Sequence, residues 1–271
     1  MRLGILSDIH VDLNTEGEDG ITPAICRIIE RQNIDCLITA GDVADDFRRS
    51  EGFVQTVRER TGRRCLFVPG NHDIWTEHHP EMSSWQIYEA LQEVPGNLSS
   101  GPQPLADDWI AVGDLGWYDY SFGGAEYSIE EFDRMQFGER VWQDGVNAVW
   151  NRSTREVHEY FYSKLKKQLE EHREKRIVLV IHVLPIADFT VRRPSEEWNY
   201  LNAFLGSREY GDLVLQHPNV KYCITGHVHY RKTKRIGDTE FICNCLGYTD
   251  QWKNGSDPAV EIAAAMLTVE I

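Results

Sequence analysis

The chain has no long hydrophobic run and comparatively few basic residues. No stretch approaches the roughly 20 apolar residues that a bilayer span requires, which excludes a helical membrane protein. The amino terminus, Met-Arg-Leu-Gly-Ile-Leu-Ser-Asp, has no apolar core of signal-peptide length and no small-residue cleavage site. Secretion is therefore not expected, and a cytoplasmic protein is. Lys and Arg total 28 against 43 Asp and Glu, a formal charge of −15, which repels a nucleic-acid backbone unless basic residues gather locally. Nucleic acid and membrane are accordingly set aside as partners. Low-complexity tracts, Pro/Ser-rich linkers and internal repeats are also missing, so a single domain over residues 1–271 is expected.

A disulfide framework is absent too. Six cysteines (Cys26, Cys36, Cys65, Cys223, Cys243 and Cys245) are spread through apolar runs such as Arg64-Cys65-Leu66-Phe67-Val68, where a thiol behaves as a small buried hydrophobe. Cys243-Asn244-Cys245 lacks the two-residue spacer of zinc knuckles and thioredoxin-like motifs.

What the chain does have is a set of short apolar runs that stop on polar residues. Arg2 to Ser7 stops at Asp8, Asp35 to Ala40 at Gly41-Asp42, and Arg64 to Val68 at Pro69-Gly70-Asn71-His72-Asp73. Arg176 to Ile181 stops at His182, and Lys221 to Thr225 at Gly226-His227-Val228-His229. These runs read as buried strands. Helical spacing after Thr22-Pro23 and from Glu51 to Arg60 supplies the connections, which by itself suggests a doubly wound sheet with its ligands at the carboxyl ends of the strands. Trp109 to Gly113 reads as a further strand, and Thr154 to Lys175 as an amphipathic helix with Val157, Phe161, Leu165 and Leu169 on one stripe. The tail alternates through Arg231–Ile236, Glu240–Leu246 and Ala259–Glu270, with a hairpin at Gly237-Asp238. Residues 74–175 hold an irregular, aromatic-rich segment. Within it, Gly123 to Asn151 has no clean period and is read as a cap or lid.

One Asp-x-His pair, or one His after a strand, is ordinarily a turn residue. Five such clusters at the same structural point are a different matter. Their carboxylates, imidazoles and amide match the mixed ligation of a first-row metal pair. Gly41, Gly70 and Gly226 each precede a candidate ligand and permit a sharp turn there.

In order and content these clusters resemble the calcineurin-like metallophosphoesterase family. Its signature of Asp-x-His, Gly-Asp-x-x-Asp, Gly-Asn-His-Asp/Glu, a lone His and Gly-His-x-His appears as Asp8-Ile9-His10, Gly41-Asp42-Val43-Ala44-Asp45, Gly70-Asn71-His72-Asp73, His182 and Gly226-His227-Val228-His229. The resemblance implies an α/β (α+β) fold of two mixed sheets packed face to face with helices outside, a four-layer sandwich that replaces the doubly wound picture. It also implies two divalent or transition-metal ions: manganese, with iron, zinc, nickel or cobalt as alternatives. Asp8, His10, Asp42 and His229 would hold one, and Asp42, Asn71, His182 and His227 the other, with Asp42 bridging.

Two such ions roughly 3.5–4 Å apart acidify a shared water and bind phosphate oxygens, so the expected reaction is in-line hydrolysis of a phosphomonoester or phosphodiester by a bridging hydroxide. His72 is the expected proton donor to the leaving group, oriented by Asp45. The expected substrate is a small phosphorylated molecule, with nucleotides among the candidates. A binding module on the same fold that has lost turnover is the competing reading. His78, His79, His158, His172 and His217 fit no signature element and are expected to be surface or structural. Arg48-Arg49 and Arg192-Arg193 are candidate phosphate contacts that ordinarily form a solvated face.

Overall fold

The computed structural model describes residues 1–14, 20–192 and 195–271; Arg193 of the second arginine pair lies outside them. β1 (Arg2–Ile5), β2 (Cys36–Ala40) and β3 (Arg64–Val68) run parallel, connected by α1 (Thr22–Arg31) and α2 (Phe47–Thr61). α1 carries Pro23 in its first turn, where the missing N–H costs nothing. α2 starts ahead of the expected Glu51 because Asp46 caps it, accepting the Arg48 N–H, and it ends on Gly62 in the left-handed region at φ 64°.

After α3 (Ser84–Gln92) come β4 (Gln103–Pro104), β5 (Trp109–Asp114), the short α4 (Ile129–Phe132), the hairpin of β6 (Gln136–Phe137) and β7 (Arg140–Val141), and the short α5 (Asp144–Asn147). α6 (Thr154–Glu171) leads into β8 (Arg176–Ile181), followed by α7 (Glu196–Leu201), α8 (Arg208–Leu215) and β9 (Val220–Thr225). The chain ends with β10 (Arg231–Ile236), β11 (Thr239–Asn244), α9 (Pro258–Ala265) and β12 (Leu267–Glu270). Two mixed sheets result, ordered β12-β1-β2-β3 and β10-β11-β9-β8-β5-β4.

The side-chain alternation of each strand divides the core into three layers. Cys36, Ile38 and Ala40 of β2 meet Val178 and Val180 of β8, Ala111 of β5 and Ile224 of β9 between the sheets. Leu37 turns the other way into a cluster with Ile25, Ile29, Val54 and Val57 of α1 and α2. Ile177 and Leu179 pack outward on Leu165 and Leu169 of α6 and on Leu213 and Val214 of α8. Strands β2, β3, β5 and β8 are nearly continuous apolar runs because both of their faces are covered, whereas the edge strand β10 is charged and half exposed. The fold is thus the helix, sheet, sheet, helix arrangement and not a single doubly wound sheet.

One stretch departs from the expected pattern. Residues 259–270 are not one alternating strand: Asp257 caps a helix with Pro258 in its first turn, and only Leu267–Glu270 pairs with β1, Arg2 opposite Glu270. The alanine-rich Ala263-Ala264-Ala265 favours the helix, and the apparent alternation ran across its end. The hairpin at Gly237-Asp238 is present, with Ile236 opposite Thr239.

Ile38 is fully buried between the sheets. Ile38→Ala should lower the unfolding free energy by about 2–5 kcal/mol, whereas Ser153→Ala, which removes a capping box at the start of α6, should cost about 1 kcal/mol. Urea denaturation of the two variants beside the parent chain measures both.

Candidate metal centre

Backbone hydrogen bonds draw the ends of five strands to one edge where the two sheets meet. Asp8 N–H donates to Gly41 O at 3.0 Å and His10 N–H to Asp42 O at 3.1 Å, tying the loop after β1 to the loop after β2. Gly226 N–H donates to His182 O at 3.0 Å, and Ser7 bridges Cys245 across to the second sheet. Asp73, buried in the third loop, accepts N–H groups from Val43, Ala44 and Gly70. The side chains at these ends therefore converge.

Asp8, His10 and His229 bring ligand atoms within 4.8 Å of one another, and Asp42, His182 and His227 do the same. Asn71 joins the second group: its Oδ1 lies 2.8 Å from His182 Nε2 and 3.0 Å from His227 Nδ1. All seven residues named from the sequence are thus brought together. Asp42 Oδ1 is 3.4 Å from His182 Nε2, which places it with the second group; a bridge to the first rests on its proximity to Asp8, whose charge acts on it.

The protons of this cluster point away from its centre. His182 Nδ1–H donates to Ala40 O at 2.7 Å, and His227 Nε2–H to Phe204 O at 3.1 Å. That leaves His182 Nε2 and His227 Nδ1 as facing lone pairs 3.1 Å apart. Asn71 Nδ2–H donates to Asp144 Oδ1 at 2.8 Å, so the amide presents its oxygen to the same point. His229 Nδ1–H donates to Gln251 Oε1 at 2.7 Å, and that oxygen also accepts the Tyr248 N–H. His229 Nε2 then faces His10 Nε2 at 3.2 Å and Asp8 Oδ1 at 3.6 Å. Among the described residues His10 Nδ1 is buried with no hydrogen-bond partner, and the Asp8 carboxyl meets the Cys245 thiol. At the meeting point of His182, His227 and Asn71, converging lone pairs with no proton between them repel, and a cation is what satisfies them.

Charge argues the same way. Asp8 and Asp42 are buried, and burial pushes both carboxyls up, Asp42 well above the usual range. Their ion-pair partners among the described residues are histidines alone. Burial, reinforced by neighbouring imidazoles, pushes His10 and His182 well below the usual range, and burial also lowers His227 and His229. Neutral imidazoles beside uncompensated carboxylates suit a divalent ion.

Backbone strain and missing Cβ atoms accompany the convergence. Asp8, His10, Asp42, His227 and His229 sit in the left-handed region at φ 51°, 45°, 52°, 75° and 53°, a conformation that costs a non-glycine residue on the order of 1–3 kcal/mol. The glycines serve close approach more than turning. A Cβ on Gly70 would lie 2.1 Å from Asp42 Oδ1, and one on Gly226 2.4 Å from Asp8 Oδ2. Only Gly41, at φ 88°, also has the turn conformation expected of the three.

His72 stands beside this cluster. Its Nδ1 pairs with Asp45 Oδ1 at 2.7 Å and its Nε2 lies 3.9 Å from Asp42 Oδ2. Burial disfavours the imidazolium, yet the carboxylates of Asp42, Asp45 and Asp144 outweigh it and hold the ring up to about 9. Asp45 is free for this role because its neighbour Asp46 caps α2.

A model for calcineurin-like phosphoesterases matches residues 1–231. The chain belongs to this family. Its members are phosphate-ester hydrolases as a class and bind two divalent metals. The phosphoesterase fold is also shared with solved structures of low identity. The phosphopantetheinyl hydrolase of Mycobacterium tuberculosis is 20% identical, with a TM-score of 0.72 over 91% of this chain and 89% of that one. A dimetal phosphatase from Danio rerio is 15% identical, with a TM-score of 0.56 over 99% and 91%. TT1561 of Thermus thermophilus is 14% identical, with a TM-score of 0.55 over 99% and 97%. No curated protein sequence matches the chain.

The cluster opens into a cleft of about 620 Å³ lined by Asp42, Asn71, His72 and His227, with Trp75, Trp142, Trp198 and Tyr248 along its walls. Most other aromatics of the irregular segment are core: Trp109, Trp117, Tyr118 and Trp150 are buried. His79 pairs with Asp46 at 3.0 Å, and His158 and His217 are buried with hydrogen-bonded rings. Arg192 pairs with Asp188. Among the described residues no helix is long and apolar enough to cross a membrane. Sequence reading missed Gln251, Tyr248, Asp73 and Asp144. Asp73 lies inside the Gly-Asn-His-Asp motif, and its acidity in a run ending a strand was the available signal; the others lie far from any motif.

Gly70→Ala should displace the Asp42 carboxylate. Metal analysis of the variant after dialysis should show a loss of bound ion relative to the parent, with far-ultraviolet circular dichroism unchanged.

Proposed function

We propose that the protein hydrolyses small phosphomonoesters or phosphodiesters at a two-metal centre. Asp8, His10, Asp42 and His229 hold one ion, Asp42, Asn71, His182 and His227 the other, and Asp42 bridges. The observation that carries this reading is the meeting of His182 Nε2, His227 Nδ1 and Asn71 Oδ1 as bare lone pairs within 3.1 Å of each other. The ion pair, when bound, supplies Lewis acidity toward phosphate oxygens and a hydroxide nucleophile near neutral pH.

The remaining work falls to the chain's own side chains. Asp42 and Asp8 neutralise the cations, and the outward hydrogen bonds of His182, His227 and His229 hold their tautomers. His72, kept as imidazolium by Asp45 at 2.7 Å, donates a proton to the departing oxygen. Trp75 lies against the His72 ring with centroids 3.8 Å apart and limits the ring's motion. The cleft volume of about 620 Å³ is within the usual range for small-molecule sites. Manganese is the proposed ion, with iron, zinc, nickel or cobalt as alternatives, since a mixed carboxylate, amide and imidazole set without thiolate suits each of them.

Purified protein reconstituted with Mn²⁺ should hold two ions per chain and hydrolyse p-nitrophenyl phosphate or its bis ester. A protein that binds no metal and is inert on both esters and on a nucleotide panel overturns the proposal. His72→Ala should keep its metals and lose about 10²–10⁴-fold in rate on poor leaving groups, with a smaller loss on activated aryl esters; equal losses on the two would remove His72 as the acid. Asp42→Asn should lose metal, since the bridging charge is gone, and full occupancy measured by plasma emission would contradict the bridge.

A further inference from the structure

Behind Asn71, a single buried carboxylate collects four donors. Asp144 Oδ1 accepts Asn71 Nδ2–H and Trp75 Nε1–H, each at 2.8 Å. Asp144 Oδ2 accepts Trp142 Nε1–H at 2.8 Å and Tyr118 O–H at 3.2 Å. The residue is 2% exposed and opens α5. Two oxygens with about four lone-pair sites are thereby filled, which offsets the cost of withdrawing the carboxylate from water.

For Asn71 the consequence is orientation. A flipped amide would set its oxygen against the Asp144 carboxylate and its NH₂ toward the metal position. Asp144 therefore selects the end of Asn71 that faces His182 and His227. The same carboxylate fixes Trp75, which lies on the His72 ring, and Trp142, which lines the cleft and packs on Phe204 with centroids 5.4 Å apart.

We infer that Asp144 is a positioning residue of the metal centre, setting the ligand orientation of Asn71 and tying it to the tryptophan wall of the cleft. The inference rests on Asn71 being a ligand, as proposed above. Trp142 and Asp144 both belong to the segment read from sequence as a cap or lid, so that segment supplies a support for the centre as well as a wall. Whatever moves Trp142 changes the donors on the carboxylate that holds Asn71.

The test is stepwise titration of metal-free protein with Mn²⁺ by calorimetry, comparing the parent with Asp144→Asn, together with the thermal midpoint of each metal-free chain. In Asp144→Asn an amide N–H replaces one acceptor oxygen. One of the two binding steps should weaken about 10–100-fold, the usual effect of losing such a supporting group, while the other keeps its affinity. A merely structural carboxylate would lower the thermal midpoint and leave both steps as in the parent, or weaken both equally, and either result overturns the inference. A parent chain that binds fewer than two ions refutes the two-metal reading and this inference with it; two ions in the parent with unchanged steps in the variant refutes the role of Asp144 alone. Should Asp144→Asn fail to fold, Asp144→Glu keeps the charge but moves the acceptor away from Asn71, and the same selective loss is expected.

Discussion

Asp8 and Asp42 are carboxylates withdrawn from water, with only histidines as their described ion-pair partners. Leaving charge in a low-dielectric interior is costly unless something of opposite sign answers it. Nearly every local choice around them follows from that constraint. The histidines point their protons outward to Ala40 O, Phe204 O and Gln251 Oε1, because an N–H turned inward would compete with a cation for the same space. Backbone comes close at Gly70 and Gly226 because any side chain there would collide with the carboxylates.

The two sheets make this convergence possible. Strands β2, β3, β5 and β8 are nearly apolar along their length, since one face meets the opposite sheet and the other meets helices, and their chemistry-bearing polar residues gather where each strand stops. Putting the carboxyl ends of β1, β2, β3, β8 and β9 at one seam collects those stops. The backbone bonds Asp8 N–H to Gly41 O and Gly226 N–H to His182 O lock the starts of these loops to each other. A site assembled from distant parts of the chain thus has little freedom of its own.

How much of this could be read in the sequence depends on how local each signal is. Asp42 and His182 are legible because each ends an apolar run, and the run itself announces a buried strand. His72 and Asp45 are legible only through the order of motifs, as the 27-residue separation of the pair carries no pattern. Asp144 is invisible: its donors come from residues 71, 75, 118 and 142, and nothing in the surrounding irregular stretch distinguishes it from the many other acids of this chain. The tail was misread where alternation and helix propensity overlap, at Ala263 to Ala265, and the cap of Asp257 with Pro258 was the stronger signal. The core role of Trp117 and Trp150 could not be separated from a stacking role without knowing which sheet face they meet.

The left-handed backbone at Asp8, His10, Asp42, His227 and His229 has an evolutionary side. Glycine or asparagine relaxes such positions, so a population of this protein selected for heat resistance alone would gain by replacing the residues proposed as metal ligands. On the ligand roles proposed above, stability and activity are set against each other at five specific peptide units. Adaptation to heat would then have to be found elsewhere, in the helices and the inter-sheet core, with the strained loops left as they are.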